Sequence, residues 1–336
     1  MAFNTEQRRH LQNARQFYET WKDASRNLAR LPGGMYWRVI DSKEYLYKYV
    51  TNAGIKQSTS MGPKSPQTEA IAEDFQQAKK DLQERLAAIE GRIKTLAPIM
   101  RVLNLPAIDE TAGKILRALD QVGYLGKNIL VIGTYAMTAY EMTAEARFAE
   151  GFDATEDLDF TIAIDPANPS DPDFPRRLLL TLKEVDKSFL VSPSSSKTVV
   201  NKAGYRVDLL MSKALAPAMR GAIPWKPEAL EGQEWLALGT PVQQVLVDFN
   251  GWPVLVTAPD PRYFALHKLW LGKRPTRIRT GKAPKDAAQG RMLLKAIQES
   301  MPHYPIDDEY IRSLPHALLQ ILDAFHADAA KNPSLS

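Results

Sequence analysis

The chain has no cysteine among its 336 residues. That absence excludes disulfide staples, thiolate zinc sites, iron–sulfur clusters and a cysteine nucleophile, and it makes the cytoplasm the expected compartment. Long apolar runs are also missing: no segment approaches the ~20 apolar residues that cross a bilayer. The start, MAFNTEQRRHLQNARQF, is polar and helix-like instead of a charged segment followed by an apolar stretch, so neither export nor a membrane partner is expected. The histidines, His10, His267, His303, His316 and His326, show no H-E-x-x-H or other metal spacing. Neither G-x-S-x-G nor G-x-G-x-x-G occurs, which removes the common hydrolase and dinucleotide-binding readings. Gly62-Pro63-Lys64-Ser65 mimics the end of a P-loop, but Pro63 intrudes and the first glycine of that motif is missing. Charge is nearly balanced, 43 Lys and Arg against 39 Asp and Glu, so its placement matters more than its sum.

What is present changes character along the chain. Residues 5–30 read as a helix, broken by Pro32-Gly33-Gly34. The next segment, MYWRVIDSKEYLYKYV, is expected to be a β-hairpin in which Tyr45, Tyr47 and Tyr49 share one strand face and Leu46, Lys48 and Val50 the other. Such a stripe either stacks bases or packs as half-buried strands ordinarily do, and packing is the commoner outcome. From 67 to 100, Phe75, Leu82, Leu86, Ile89, Ile93 and Leu96 recur at helical steps, the mark of a long amphipathic helix. The middle alternates: KNILVIG a strand, TYAMTAYEMTAEARF a helix, LDFTIAI a strand, FPRRLLLTLKEVDKSF a helix, then SFLVS, KTVVN and GYRVDLLM as strands. After Pro259-Asp260-Pro261 the chain turns helical again. The expected division is an N-terminal accessory region at 1–120, a core at 121–258 and a C-terminal helical region at 259–336.

The chemistry-bearing pattern is acidic. In LDFTIAI, Leu158, Phe160, Ile162 and Ile164 form one apolar face and force Asp157, Asp159 and Thr161 onto the other. Carboxylates two apart on a strand lie roughly 6–7 Å apart at the backbone, close enough to converge on two metal ions separated by ~3.5–4 Å. In GYRVDLLM the same test leaves Arg206 and Asp208 opposite the apolar Tyr205, Val207, Leu209 and Met211. A D-x-D triplet alone is weak, since Asp171-Pro172-Asp173 repeats the spacing in a proline-rich loop. Upstream, Gly133-Thr134 stands where a strand gives way to a helix, and backbone N–H groups there could receive a triphosphate.

Together, VIGTYAMTAYE and TEDLDFTIAI resemble the bacterial nucleotidyltransferase-like proteins of the DNA polymerase beta superfamily, whose pattern reads G-T-x-A-x-x-A-Y-E and then T-x-D-x-D. The matching positions are Gly133, Thr134, Ala136, Ala139, Tyr140 and Glu141, then Thr155, Asp157 and Asp159. The likeness covers roughly 127–212 and touches SMGPKSPQTEA. This chain departs in having Gly-Thr where Gly-Gly or Gly-Ser is usual, and in a longer separation between Gly133 and Asp157. The resemblance implies an α+β fold with a mixed sheet and flanking helices. It further implies that Asp157, Asp159 and Asp208 hold Mg²⁺ (or Mn²⁺), and that Gly133, Thr134 and Thr155 meet the nucleotide. It also places Lys268, in YFALHKLWL, near the phosphates, against the alternative of a snorkelling surface lysine.

Between Trp270 and Lys285 lie Lys273, Arg274, Arg277, Arg279, Lys282 and Lys285 with no acid among them, expected to form a basic loop joining two helices. Facing the site, that loop, Arg274 included, could hold triphosphate or a nucleic-acid backbone; otherwise it is simply solvated. The expected activity is transfer of a nucleoside monophosphate from an NTP to an acceptor hydroxyl with release of pyrophosphate, with RNA or tRNA the favoured acceptor. A protein or small-molecule acceptor, or a non-catalytic nucleic-acid-binding regulator on the same fold, are the alternatives. A hydrolase using Asp157 and Asp159 as acid and base ranks last, because adjacent, like carboxylates suit separate roles poorly.

Overall fold

Helix α1 (Thr5–Ala29) begins where Asn4 and Gln7 exchange bonds, each side chain accepting from the other's backbone N–H at 2.9 Å. The computed structural model describes residues 2–52, 55–148, 157–164, 173–219 and 225–331. Strands β1 (Gly34–Ile40), β2 (Lys43–Asn52) and β3 (Ile55–Pro63) form an antiparallel meander in that order. The expected hairpin therefore carries a third strand. Its sequence, IKQSTSMGP, is polar and exposed almost throughout, so it has no apolar face to betray it. Helix α2 (Pro66–Val102) is capped by Ser65, which accepts from the Thr68 N–H at 3.3 Å while Thr68 Oγ1 accepts from the Ser65 N–H at 2.9 Å. It covers one face of the meander, where Leu46 is fully buried and Lys48 lies over the Phe75 ring at 5.7 Å.

Beyond α2 come β4 (Ala107–Ile108), α3 (Glu110–Gln121), β5 (Ile129–Ile132), α4 (Thr134–Thr143), β6 (Asp157–Ile162), α5 (Phe174–Val185), β7 (Leu190–Ser192), β8 (Ser195–Val200), β9 (Arg206–Ser212) and β10 (Glu228–Leu230). The central sheet runs β5-β6-β9-β8-β7, with β10 alongside the end of β9. β6 and β9 are parallel, as are β9 and β10, and the other pairs are antiparallel, so the sheet is mixed and the fold α+β, as expected. Helix α4 stops earlier than its sequence suggests. Glu145 adopts φ 47°, and the chain folds back so that Phe148 N–H donates to Glu141 Oε1 at 2.7 Å and Arg147 pairs with Glu141 Oε2 at 3.3 Å.

A second sheet, β12-β11-β4, has no counterpart in the expected core. It joins β11 (Val242–Asp248) and β12 (Pro253–Ala258) to the two-residue β4 from far upstream, a pairing that leaves no local pattern. Helix α4 packs against β5, β11 and β12. The C-terminal part is helical: α6 (Pro261–Gly272), α7 (Pro275–Arg279), α8 (Ala283–Ser300), α9 (Asp308–Ser313) and α10 (His316–Lys331). The basic stretch is thus not one loop. Pro275, at the first position of a helix, starts α7 within it. Buried Asp260 caps α6, accepting from the Arg262 N–H at 2.9 Å, and holds the Arg262 guanidinium at 2.7 Å. One hydrophobic core extends from Phe3 to Leu322. Among the described residues no helix is long and apolar enough to cross a membrane.

Candidate functional site

The register of β6 against β9 builds the site. Leu158 pairs with Val207 and Phe160 with Leu209, all four fully buried, and a one-residue slip would turn them out of the core. Held this way, Asp159 lies directly opposite Asp208, on strands roughly 4.8 Å apart, and Asp157 stands two residues upstream opposite Arg206. Like charges so placed repel. Burial first, then the charges of Asp157 and Asp208, push the Asp159 carboxyl up to about 6, while Lys268 and Lys197 pull it partly back. Thr161, expected on the same face, is buried deeper along the strand.

Asp159 also pairs with Ile132 at the end of β5, and that brings it against the turn. Gly133 has φ 71°, and a Cβ there would sit 2.5 Å from Asp159 Oδ2, so backbone angle and space both demand glycine. The N-cap of α4 is Gly133, which has no side chain to cap the helix, so a carboxylate and a helix N-terminus face the same spot. Ala136, Ala139 and Tyr140 from the same motif are core residues, and the Tyr140 hydroxyl donates to Pro259 O at 3.0 Å.

Asp109, which no motif marked, braces the elements that carry the candidate site. It caps α3, accepting from the Ala112 N–H at 2.9 Å, and its Oδ2 also accepts from the Tyr135 and Tyr205 hydroxyls, the latter at 3.0 Å. Tyr135 is the second residue of α4 and Tyr205 immediately precedes β9, so one carboxylate ties the turn to the strand that carries Asp208. Burial, then Tyr135 and Asp109, hold the Tyr205 phenol far above its ordinary pKa, so it stays a donor. The only local signal was that of a helix cap.

Around Asp208, the Thr198 hydroxyl donates to Oδ1 at 2.6 Å and Lys197 lies 3.9 Å from Oδ2 while also pairing with Glu228. Lys268 is not a snorkelling lysine. It is buried, donates to Asp286 Oδ1 at 2.9 Å, and feels the charge of Asp159, although burial still lowers its pKa. Arg277 approaches Asp286 Oδ2 to 3.0 Å. Arg274 turns instead to Glu231 at 2.6 Å and lies 4.5 Å over the Trp270 ring. Thr155 lies outside the described residues, as do Asp171 and all but the first two residues of the loop 147–156. His267, buried between Trp235 and Trp270, is kept neutral by burial, with a pKa lowered to about 3.

Among the described residues no three His, Cys, Asp or Glu side chains are gathered closely enough to hold a metal ion. In kind, however, the donors fit a hard divalent cation: all are carboxylates, and the charges of Asp157 and Asp208 add to burial in raising the Asp159 carboxyl.

Residues 110–314 match the profile of a family described as Nucleotidyltransferase. The chain belongs to this nucleotidyltransferase family. It is therefore a transferase whose substrate is a nucleoside triphosphate and whose general chemistry is nucleotidyl transfer. The nucleotidyltransferase match starts at the first residue of α3 and ends just after α9, taking in the carboxylate strands and Lys268 but leaving out α1, the meander and α2. No curated protein and no solved structure matches the chain.

Proposed function

We propose that this nucleotidyltransferase has a polymerase-beta-type core and is an enzyme of the EC 2.7.7 type. In this reading it moves a nucleoside monophosphate from an NTP to an acceptor hydroxyl, with RNA or tRNA the favoured acceptor. The observation that carries the proposal is the lodging of Asp159 between the Gly133 turn and Asp208, with Asp157 two residues away. Asp157, Asp159 and Asp208 would hold Mg²⁺ (or Mn²⁺), which supplies neutralisation of the triphosphate charge and acidifies the acceptor hydroxyl. The N–H groups of the Gly133-Thr134 turn receive phosphate oxygens, and Thr155 and Lys268 join them. Asp208, steadied by Thr198, takes the acceptor proton. The acceptor oxygen bonds to the α-phosphorus as the bond to the β-phosphate breaks, and pyrophosphate leaves.

The test is to incubate the full chain, and separately an Asp157→Ala/Asp159→Ala double mutant, with each α-labelled NTP, Mg²⁺ and cell RNA, protein and metabolite fractions. Label should enter the RNA fraction with wild type alone. Label entering only protein or metabolites would redirect the acceptor, and equal labelling by wild type and double mutant would sink the enzymatic reading. A second reading is a non-catalytic regulator that keeps the fold and uses the basic residues of 273–285 to hold nucleic acid. The same experiment separates the two.

A further inference from the structure

The face of the meander turned away from α2 gathers aromatic rings and cations. Strand register puts Tyr36 opposite Tyr47, Arg38 opposite Tyr45 and Gly34 opposite Tyr49, so all of these share one face. Gly34 has no side chain, and the Tyr49 ring lies across it, where a Cβ would come within 2.8 Å. Tyr36 and Tyr47 stack at 5.8 Å with 24° between planes. Lys56, opposite Thr51 on β3, sits 4.0 Å above Tyr49 and 4.7 Å above Tyr36, while Arg38 lies 6.0 Å over Tyr47.

These rings are half-buried, whereas Arg38, Lys43 and Lys56 are exposed and form no carboxylate ion pair among the described residues. The segment's own acids are elsewhere: Asp41 is in the β1–β2 turn, and Glu44, opposite Val39, is paired with Lys64 at 2.6 Å. A face whose cations are matched by rings and not by acids is complementary to a polyanion carrying flat bases. Hydroxyls complete it. Ser58 stands opposite Tyr49 and Ser60 opposite Tyr47, beside Thr51, where they can meet a ribose 2′-OH, the group that distinguishes RNA from DNA.

We propose that this tyrosine face is a docking platform for single-stranded RNA. The proposal rests on RNA being the acceptor, as proposed for the active site, and under it the region outside the family match holds the strand whose end is extended.

The test is fluorescence anisotropy of the full-length chain with a labelled single-stranded RNA of ~12 nucleotides, within the length range such platforms cover. DNA of the same sequence and duplex RNA serve as competitors. Tyr47→Ala should weaken RNA binding roughly tenfold, the scale of one lost base stack, while Tyr47→Phe, which keeps the ring, stays near wild type. Arg38→Glu/Lys56→Glu should weaken binding and flatten its salt dependence by about 0.7 in log–log slope for each lost phosphate contact. Circular dichroism melts establish that each mutant is folded. RNA affinity unchanged by these substitutions would overturn the platform, as would tighter binding of DNA or duplex, or no RNA binding by wild type at low salt. So would a wild-type dimer that Tyr47→Ala converts to monomer, because the face would then belong to a second copy. Repeating the titration with Asp159→Asn separates the two ideas: RNA that wild type and Asp159→Asn both bind but wild type never labels defeats the acceptor reading and leaves the platform standing. Labelling with an unchanged KM for RNA in Tyr47→Ala defeats the platform alone.

Discussion

In the core sheet, Asp159 is wedged between a glycine turn and Asp208, on strands whose apolar residues Leu158, Phe160, Val207 and Leu209 are fully buried; in the meander, Tyr36, Tyr47 and Tyr49 stand half open to solvent, with lysine and arginine laid over them. The first arrangement concentrates like charge at a cost to the fold, which the surrounding core sustains. The second adds little strain and little stability. The difference teaches where each kind of function can be built: a site that must hold repelling groups needs a rigid, deeply packed frame, and a stacking surface needs only a sheet with one face covered. The family match encloses the first and stops short of the second.

Substitutions can break or sharpen this contrast. The largest effect is expected from Asp159→Ala or Asp208→Ala, which should lower NTP-dependent pyrophosphate release on the order of a thousandfold or more, since several kcal/mol of charge stabilisation would go. Retained activity in both would remove the carboxylates from the chemistry. Asp109→Ala removes the carboxylate acceptor shared by the Tyr135 and Tyr205 hydroxyls and should destabilise the protein by about 2–6 kcal/mol in denaturant titrations, at roughly 1–3 kcal/mol per lost partner.

A pH series isolates the strain at Asp159. Its carboxyl is raised from 3.8 to about 6, so folding disfavours its charged form; that handicap is absent below pH ~4 and grows as pH climbs through about 6. Asp159→Asn should therefore be more stable than wild type at neutral pH in chelator, by at most about 3 kcal/mol at 1.36 kcal/mol per pKa unit, and equal to it near pH 3.5. An advantage that does not change with pH would contradict the repulsion argument. Gly133→Ala should cost about 1–3 kcal/mol of melting stability, because the new Cβ meets Asp159 at a positive φ. The smallest effect belongs to the other region: Tyr36→Ala should change stability by only about 0.5 kcal/mol, while Leu46→Ala on the covered face of the same sheet costs roughly 2–5 kcal/mol. A large loss for Tyr36→Ala would make the rings structural and erase the contrast.

Much of this was legible in the residues. Alternation in LDFTIAI and GYRVDLLM put the three aspartates opposite the apolar faces, and the strand-to-helix change at Gly133 marked the turn, because burial imposes a period on each strand separately. Long helices α1 and α2 were visible for the same reason. Strand β3 was not, since a polar, exposed strand carries no such period, and neither was the sheet that pairs β11 with distant β4.

By itself, the sequence determined which residues share a face on β6 and β9 and where the long helices α1 and α2 run, since local sterics and burial act over a few neighbours. Only the tertiary structure decided what meets what. It set Asp159 beside Asp208 and against Gly133, joined Asp109 to Tyr135 and Tyr205, buried Lys268 on Asp286, turned Arg274 toward Glu231, and laid Lys56 over Tyr36 and Tyr49. Those contacts depend on strand order, register and helix packing between residues far apart in the chain, and no short-range pattern encodes them.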